Sequence, residues 1–153
     1  MGARILCLWF LVAGWGWCEG KYAGPVPAKS DLPYLLQAQK LTEVEVGKAR
    51  EEKKKDGTLV VVAGAASPVR TPLPEPIFLL DARKIAPERV ELFLLEVKDG
   101  NREVSLPGTQ PLHLRVTPLN DHLYKIEPSE MLEAGEYALR SGADNQVFCF
   151  QVY

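Results

Sequence analysis

The stretch Leu132-Glu133-Ala134-Gly135-Glu136-Tyr137-Ala138-Leu139 places a glycine three residues after a leucine, and a tyrosine two residues after that glycine, at the head of an apolar run. This spacing predicts a corner, where the chain crosses from one β-sheet to another and begins a new strand. Leu132 plugs the core. Gly135 permits a tight turn without a Cβ penalty. Tyr137 tucks its ring beneath the crossing, and its hydroxyl hydrogen-bonds backbone a few residues upstream. The plainer reading of Tyr137 is a strand aromatic packed into a core.

Working outward, the flanking segments read as short strands. Downstream, SGADNQ reads as a turn and VFCFQVY as the last strand, with Phe148, Phe150 and Val152 on one face and Cys149, Gln151 and Tyr153 on the other. Upstream, IFLLDA is a short apolar strand. ERVELFLLEV puts Val90, Leu92, Leu94 and Glu96 opposite Glu91, Phe93, Leu95 and Val97. Both faces are apolar at its centre, which predicts an inner strand. Asp99-Gly100 turns it back into REVSL, because that dipeptide accepts the positive φ of a tight hairpin. LHLRV, HLYKIEP and EYALRS complete about seven short strands over residues 76–153, at the 8–12-residue spacing of sandwiches.

The corner, one strand before the C-terminal strand, and this strand series resemble immunoglobulin-like folds over residues 76–153. Leu139 stands where immunoglobulin domains place their second cysteine, and no cysteine pair is present. Trp9, Trp15 and Trp17 all lie near the N-terminus, so the core tryptophan of true immunoglobulin domains is missing too. The resemblance is therefore to the disulfide-free class, close in style to fibronectin type III modules. It implies an all-β, immunoglobulin-like antiparallel β-sandwich of about seven strands plus an N-terminal hairpin or arm. GAASPVRTPLPEPIFLL, KDGNREV and the ending GEYAL…VFCFQVY also resemble a group of uncharacterised exported bacterial proteins. That likeness implies export and a compact β domain, and no activity.

The N-terminal half reads in segments. Residues 1–18 carry Arg4 and then an apolar run from Ile5 to Trp17, the layout of a signal peptide. As a helix that run reaches only about 20 Å, short of the roughly 20 residues a spanning helix needs. Cleavage is expected after Cys18, with small residues at Gly16 and Cys18. A rival is lipidation at Cys18, which the bulky Trp17 before it disfavours. Residues 19–33, with three prolines, read as a flexible arm. Residues 34–75 read as an N-terminal hairpin, with REEKKKDG at its tip, followed by a proline-rich crossover that divides them from the core at 76–153. A short charged helix before TLVVVAG is the alternative to the hairpin, and whether 34–62 join the sandwich stays open.

Composition narrows function by exclusion. Removing residues 1–18 takes one of 18 Lys and Arg and none of 20 Asp and Glu, leaving a net charge of −3. That is no footprint for nucleic acid. Membrane contact is expected only if Cys18 carries lipid. Cys7 and Cys18 lie in the leader, so Cys149 has no internal disulfide partner and reads as a small buried apolar residue. His113 and His122 read as surface imidazoles outside any nucleophile motif. No set of residues has zinc-ligand spacing. Asp144 and Asn145 read as turn residues rather than a calcium loop, and no phosphate-cradling glycine loop occurs. We expect no catalytic, cofactor or metal residues.

The favoured expectation is an exported, non-enzymatic module, periplasmic or extracellular, that contacts an unknown protein or cell-envelope component, with the N-terminal hairpin offering an edge. A carbohydrate- or small-ligand-binding module is the alternative and would expose aromatics on one sheet. A hydrolase with an unrecognised carboxylate pair is the third reading.

Overall fold

The computed structural model describes residues 20–142 and 144–153. The leader and Cys18 lie outside the described residues. Thirteen strands follow in order: β1 (Tyr34–Gln37), β2 (Lys40–Glu43), β3 (Glu45–Lys48), β4 (Arg50–Lys54), β5 (Gly57–Ala63), β6 (Arg70–Thr71), β7 (Ile77–Asp81), β8 (Glu91–Lys98), β9 (Asn101–Leu106), β10 (Leu114–Pro118), β11 (Leu123–Pro128), β12 (Gly135–Arg140) and β13 (Gln146–Val152). One 3₁₀ turn, Pro87–Arg89, precedes β8. No described helix is long and apolar enough to cross a membrane.

Two sheets pack face to face. One runs β10-β11-β7-β1-β2, the other β3-β13-β12-β8-β9-β5-β4, with β6 lying parallel to β13. In immunoglobulin lettering, β1-β7-β11-β10 take the places of A-B-E-D, and β13-β12-β8-β9 those of G-F-C-C′. The fold is an immunoglobulin-like antiparallel β-sandwich, and all seven strands read between residues 76 and 153 are present. Asp99 and Gly100 form the β8–β9 turn with φ of 50° and 76°, the left-handed pair a two-residue hairpin requires.

Residues 34–62 join this fold. β1 pairs with β7, while β3 and β4 are separated only by Ala49 and form the two ends of the second sheet. The chain from Glu45 to Lys54 is thus one bent strand. Its first half pairs with β13 and its second with β5, so the sheet closes on itself as a barrel. Small inward residues make so narrow a barrel feasible. A Cβ added at Gly47 would already touch Val147 and Val62, at 3.4 and 3.6 Å. Ala49, Ala138 and Cys149 face the same interior beside Val60, Val62, Phe93, Leu95, Val104 and Val147. The opposite face of β8, β12 and β13 gives Leu92, Tyr137, Leu139, Phe148 and Phe150 to the core between the sheets, with Leu35, Phe78, Leu80 and Ile126 from the other side.

Two N-terminal expectations are revised. REEKKKDG is not a hairpin tip, because Arg50–Lys54 are strand, and Lys55 and Asp56 make the turn. Gly57 opens β5 with φ 151°, and a Cβ there would collide with the Leu106 carbonyl, so glycine is obligatory. Outward-facing charges pair along the strand, Arg50 and Lys54 each with Glu52, which lets so polar a segment remain extended. The end of the stretch read as a flexible arm is anchored. Leu32 and Pro33 are buried. Asp31 Oδ1 accepts the backbone N–H groups of Arg83, Lys84 and Ile85 at 2.9, 2.7 and 2.9 Å. Partial burial acts to raise the Asp31 pKa, but these three donors outweigh it and hold the carboxyl below its ordinary value.

At the corner, the Tyr137 hydroxyl donates to the Glu133 carbonyl at 2.8 Å, and its ring stacks on Phe150 at 5.5 Å. Leu132 is buried in the intersheet core. Gly135 has no left-handed φ. Its smallness serves a close approach instead, since a Cβ would lie 3.0 Å from Leu94 Cδ1. Tyr137→Phe keeps the ring and removes only the bond across the corner. It is expected to lower stability by about 1 kcal/mol, read as a reduced urea midpoint at unchanged slope.

Candidate functional site

Two arrangements stand out. The first is an apolar depression at the corner, with a volume of about 220 Å³. Leu94, Pro111, Leu112, Pro128, Met131, Leu132 and Tyr137 line it, with His113, Glu130 and Glu133 around them. The residues picked from LEAGEYAL thus have a second aspect, because Leu132 and Tyr137 form the wall between core and depression. Leu94 and Met131 stand out to solvent, 47% and 73% exposed. Leu94 is uncovered because the five-stranded sheet does not extend over this end of β8, where Leu112 makes only an isolated bridge to Leu92. A shallower depression adjoins it across Leu94, lined also by Val97, Gly135, Glu136 and Gln151. The rim carboxylates Glu130, Glu133 and Glu96 are exposed, and no lysine or arginine lines either depression.

The second arrangement is a charge cluster inside one end of the barrel. Arg102, on β9, has a fully buried side chain. Its Nη1 and Nη2 donate to the two oxygens of Glu45 at 2.7 and 2.9 Å, Nε donates to the Gly64 carbonyl at 2.9 Å, and Nη2 donates also to the Ala63 carbonyl at 2.9 Å. Glu136, 4% exposed, lies 3.6 Å from Nη1 and accepts the Ser67 backbone N–H at 2.9 Å. Burial acts to raise the Glu45 pKa, but the paired bonds from Arg102 prevail and hold it low. Glu136 lacks those bonds, and burial pushes its pKa up. Cys149, beside them, is buried, which lifts its thiol to about 12 and leaves it un-ionised and unreactive at neutral pH. At the barrel's other end Arg140 pairs with Glu51 at 3.1 Å.

Two carboxyls with pKa values driven apart are the signature of an acid–base pair. Here the guanidinium fills the space between them and Glu136 is sealed from solvent, so no scissile bond fits between the two. The cluster ties strands and loop together. Its members were not singled out from sequence: Arg102 and Glu45 sit 57 positions apart in charged stretches, with nothing local to distinguish them from surface residues.

His113 and His122 are exposed. Among the described residues no three His, Cys, Asp or Glu side chains are grouped to hold a metal ion. Of the nine aromatics from Tyr22 onward, only Tyr153 is exposed; Tyr22 and Tyr124 are half-buried and the other six are buried. Comparison with protein-family models, curated proteins and solved structures finds no match to this chain.

Arg102→Met preserves length but leaves Glu45 and Glu136 without their counter-charge and the Ala63 and Gly64 carbonyls without this donor. Breaking a buried pair in this way is expected to cost about 3–5 kcal/mol, measured by urea denaturation at pH 7.

Proposed function

We propose that this chain is an exported, non-enzymatic, fibronectin-like binding module whose contact surface is the corner depression. Its partner is a protein segment that presents apolar side chains flanked by basic residues. The observation that carries the reading is the pairing of exposed Leu94 and Met131 around an apolar hollow with a rim of glutamates. Soluble domains seldom leave adjoining large apolar side chains in water without a use. Charge complementarity then selects the partner and speeds encounter. Export is supported by the leader-like residues 1–18.

An edge contact has less support. β3 and β4 are used in closing the barrel, and the edges of the other sheet, β2 and β10, are short and carry Lys40, Glu43 and Arg115. A carbohydrate platform also has less support, since it needs coplanar exposed aromatics and the exposed one is Tyr153, with Arg70 stacked 4.3 Å over its ring.

The test is cross-linking in the native host's envelope, comparing the wild type with a Leu94→Asp, Met131→Asp variant. The wild type should retrieve a discrete partner, and the variant at least about tenfold less of it, as expected for centrally placed contact residues. No retrieval by the wild type, or equal retrieval by both, overturns the assignment. The intact mass of the recovered protein tests export. A mass matching residues 19–153 supports leader cleavage, and a lipid-raised mass in the membrane fraction supports a tether at Cys18.

A further inference from the structure

The loop that leaves β5, Gly64 to Ser67, is fastened to the barrel almost entirely through the buried charge cluster. Arg102 holds it by the Gly64 carbonyl, and the end of β5 just before it by the Ala63 carbonyl, while Glu136 holds it by the Ser67 N–H. The Ser67 hydroxyl adds a longer bond to the Cys149 carbonyl at 3.3 Å. These bonds hold Gly64 and Ser67 against the end of the barrel where the cluster lies.

The donors do not match the acceptors. Arg102 has five N–H groups. Four are spent on Glu45, Ala63 and Gly64. The fifth faces Glu136 Oε2 from 3.6 Å, beyond hydrogen-bond length. Glu136 Oε1 is buried with no hydrogen-bond partner among the described residues. If both carboxyls were ionised, one guanidinium would face two negative charges, one of them sealed from water with half its acceptors empty. Glu45 is the better-provided member, having two short bonds and partial access to solvent. The surplus proton belongs on Glu136, because a neutral acid is far cheaper to bury than an unsatisfied carboxylate.

We propose that the Gly64–Ser67 loop is a pH-sensitive latch over one mouth of the barrel, closed while Glu136 is protonated and loosened when Glu136 ionises and draws in water.

The groups facing Glu136 are Arg102 from β9, Glu45 from β3 and Cys149 from β13; its β8 partner is the uncharged Leu95. Arg102 is held more firmly cationic than usual, and Cys149 stays a thiol below about pH 12. Glu45, held low by Arg102, is ionised throughout. Glu136 is therefore the member whose charge changes above the ordinary glutamate range. Its direction sets the sign. A carboxyl whose pKa is raised in the closed state favours closure fully below the ordinary glutamate range, and that contribution is lost as pH rises through the raised value. One proton released on opening changes the closed-to-open ratio by up to about tenfold per pH unit in that window.

The experiment is amide hydrogen exchange at Ser67, whose N–H is the one bonded to Glu136, corrected for intrinsic rates, from pH 5 to 9, on the wild type and Glu136→Gln. Wild-type protection at this amide should fall with rising pH by up to about tenfold per unit relative to β12. The glutamine, a permanent mimic of the neutral acid, should flatten that slope. An equal slope in both proteins overturns the latch. The ¹³C resonance of the wild-type Glu136 carboxyl decides independently of whether the variant folds. A midpoint above the ordinary glutamate range supports the proposal; a midpoint within or below it overturns the proposal.

Discussion

The architecture depends on one sheet that buries both of its faces. Along β8, β12 and β13, alternate side chains enter the core between the sheets and the interior of the barrel. Leu92, Tyr137, Leu139, Phe148 and Phe150 serve the first, and Phe93, Leu95, Ala138, Val147 and Cys149 the second. A one-residue slip in β12 or β13 would exchange the two sets and drive Tyr137, or Phe148 and Phe150, into the narrow interior that Ala138, Val147 and Cys149 now fit. Two cores therefore specify register more tightly than one, without a disulfide.

The second core explains the small residues. A barrel this narrow has no room for large side chains from every strand, so Gly47, Ala49, Ala138 and Cys149 alternate with valines and Phe93. Its ends face solvent and need polar closure. Arg140 with Glu51 supplies it at one end, and Arg102 with Glu45 and Glu136 at the other. Because the bore is filled, the apolar hollow lies on the outside, at the corner. Gly135 lets Leu94 lie against the backbone, and Leu132 and Tyr137 seal the core behind it. One short segment thus ends a sheet crossing and walls a surface hollow.

Most of the C-terminal half was legible in the sequence because its information is local. Two-residue periodicity marked seven strands, Asp99-Gly100 marked a hairpin, and the doubly apolar centre of ELFLLEV marked an inner strand. Tyr137 could be read locally either as a corner tyrosine or as a plain core aromatic, and the bond from its hydroxyl to the Glu133 carbonyl distinguishes the two. The charged run after Gly47 was less legible. Its polarity suggests a solvated tip, yet a strand on a barrel's outer surface accepts charges as readily, and only the pairing of Arg50–Lys54 with β5 distinguishes the two.

By itself, then, the sequence determined the all-β class, the strand series after residue 76 and the chemistry of the corner, since alternation and turn residues act over a few positions. Tertiary structure alone decided the rest. Closure of the barrel by Glu45–Lys54, the meeting of Arg102 with Glu45 and Glu136, and the exposure of Leu94 depend on which strands become neighbours. Long-range pairing brings together residues tens of positions apart, and burial then turns ordinary surface-type charges into a coupled cluster. No local pattern records either effect, because dielectric and packing belong to the assembled fold.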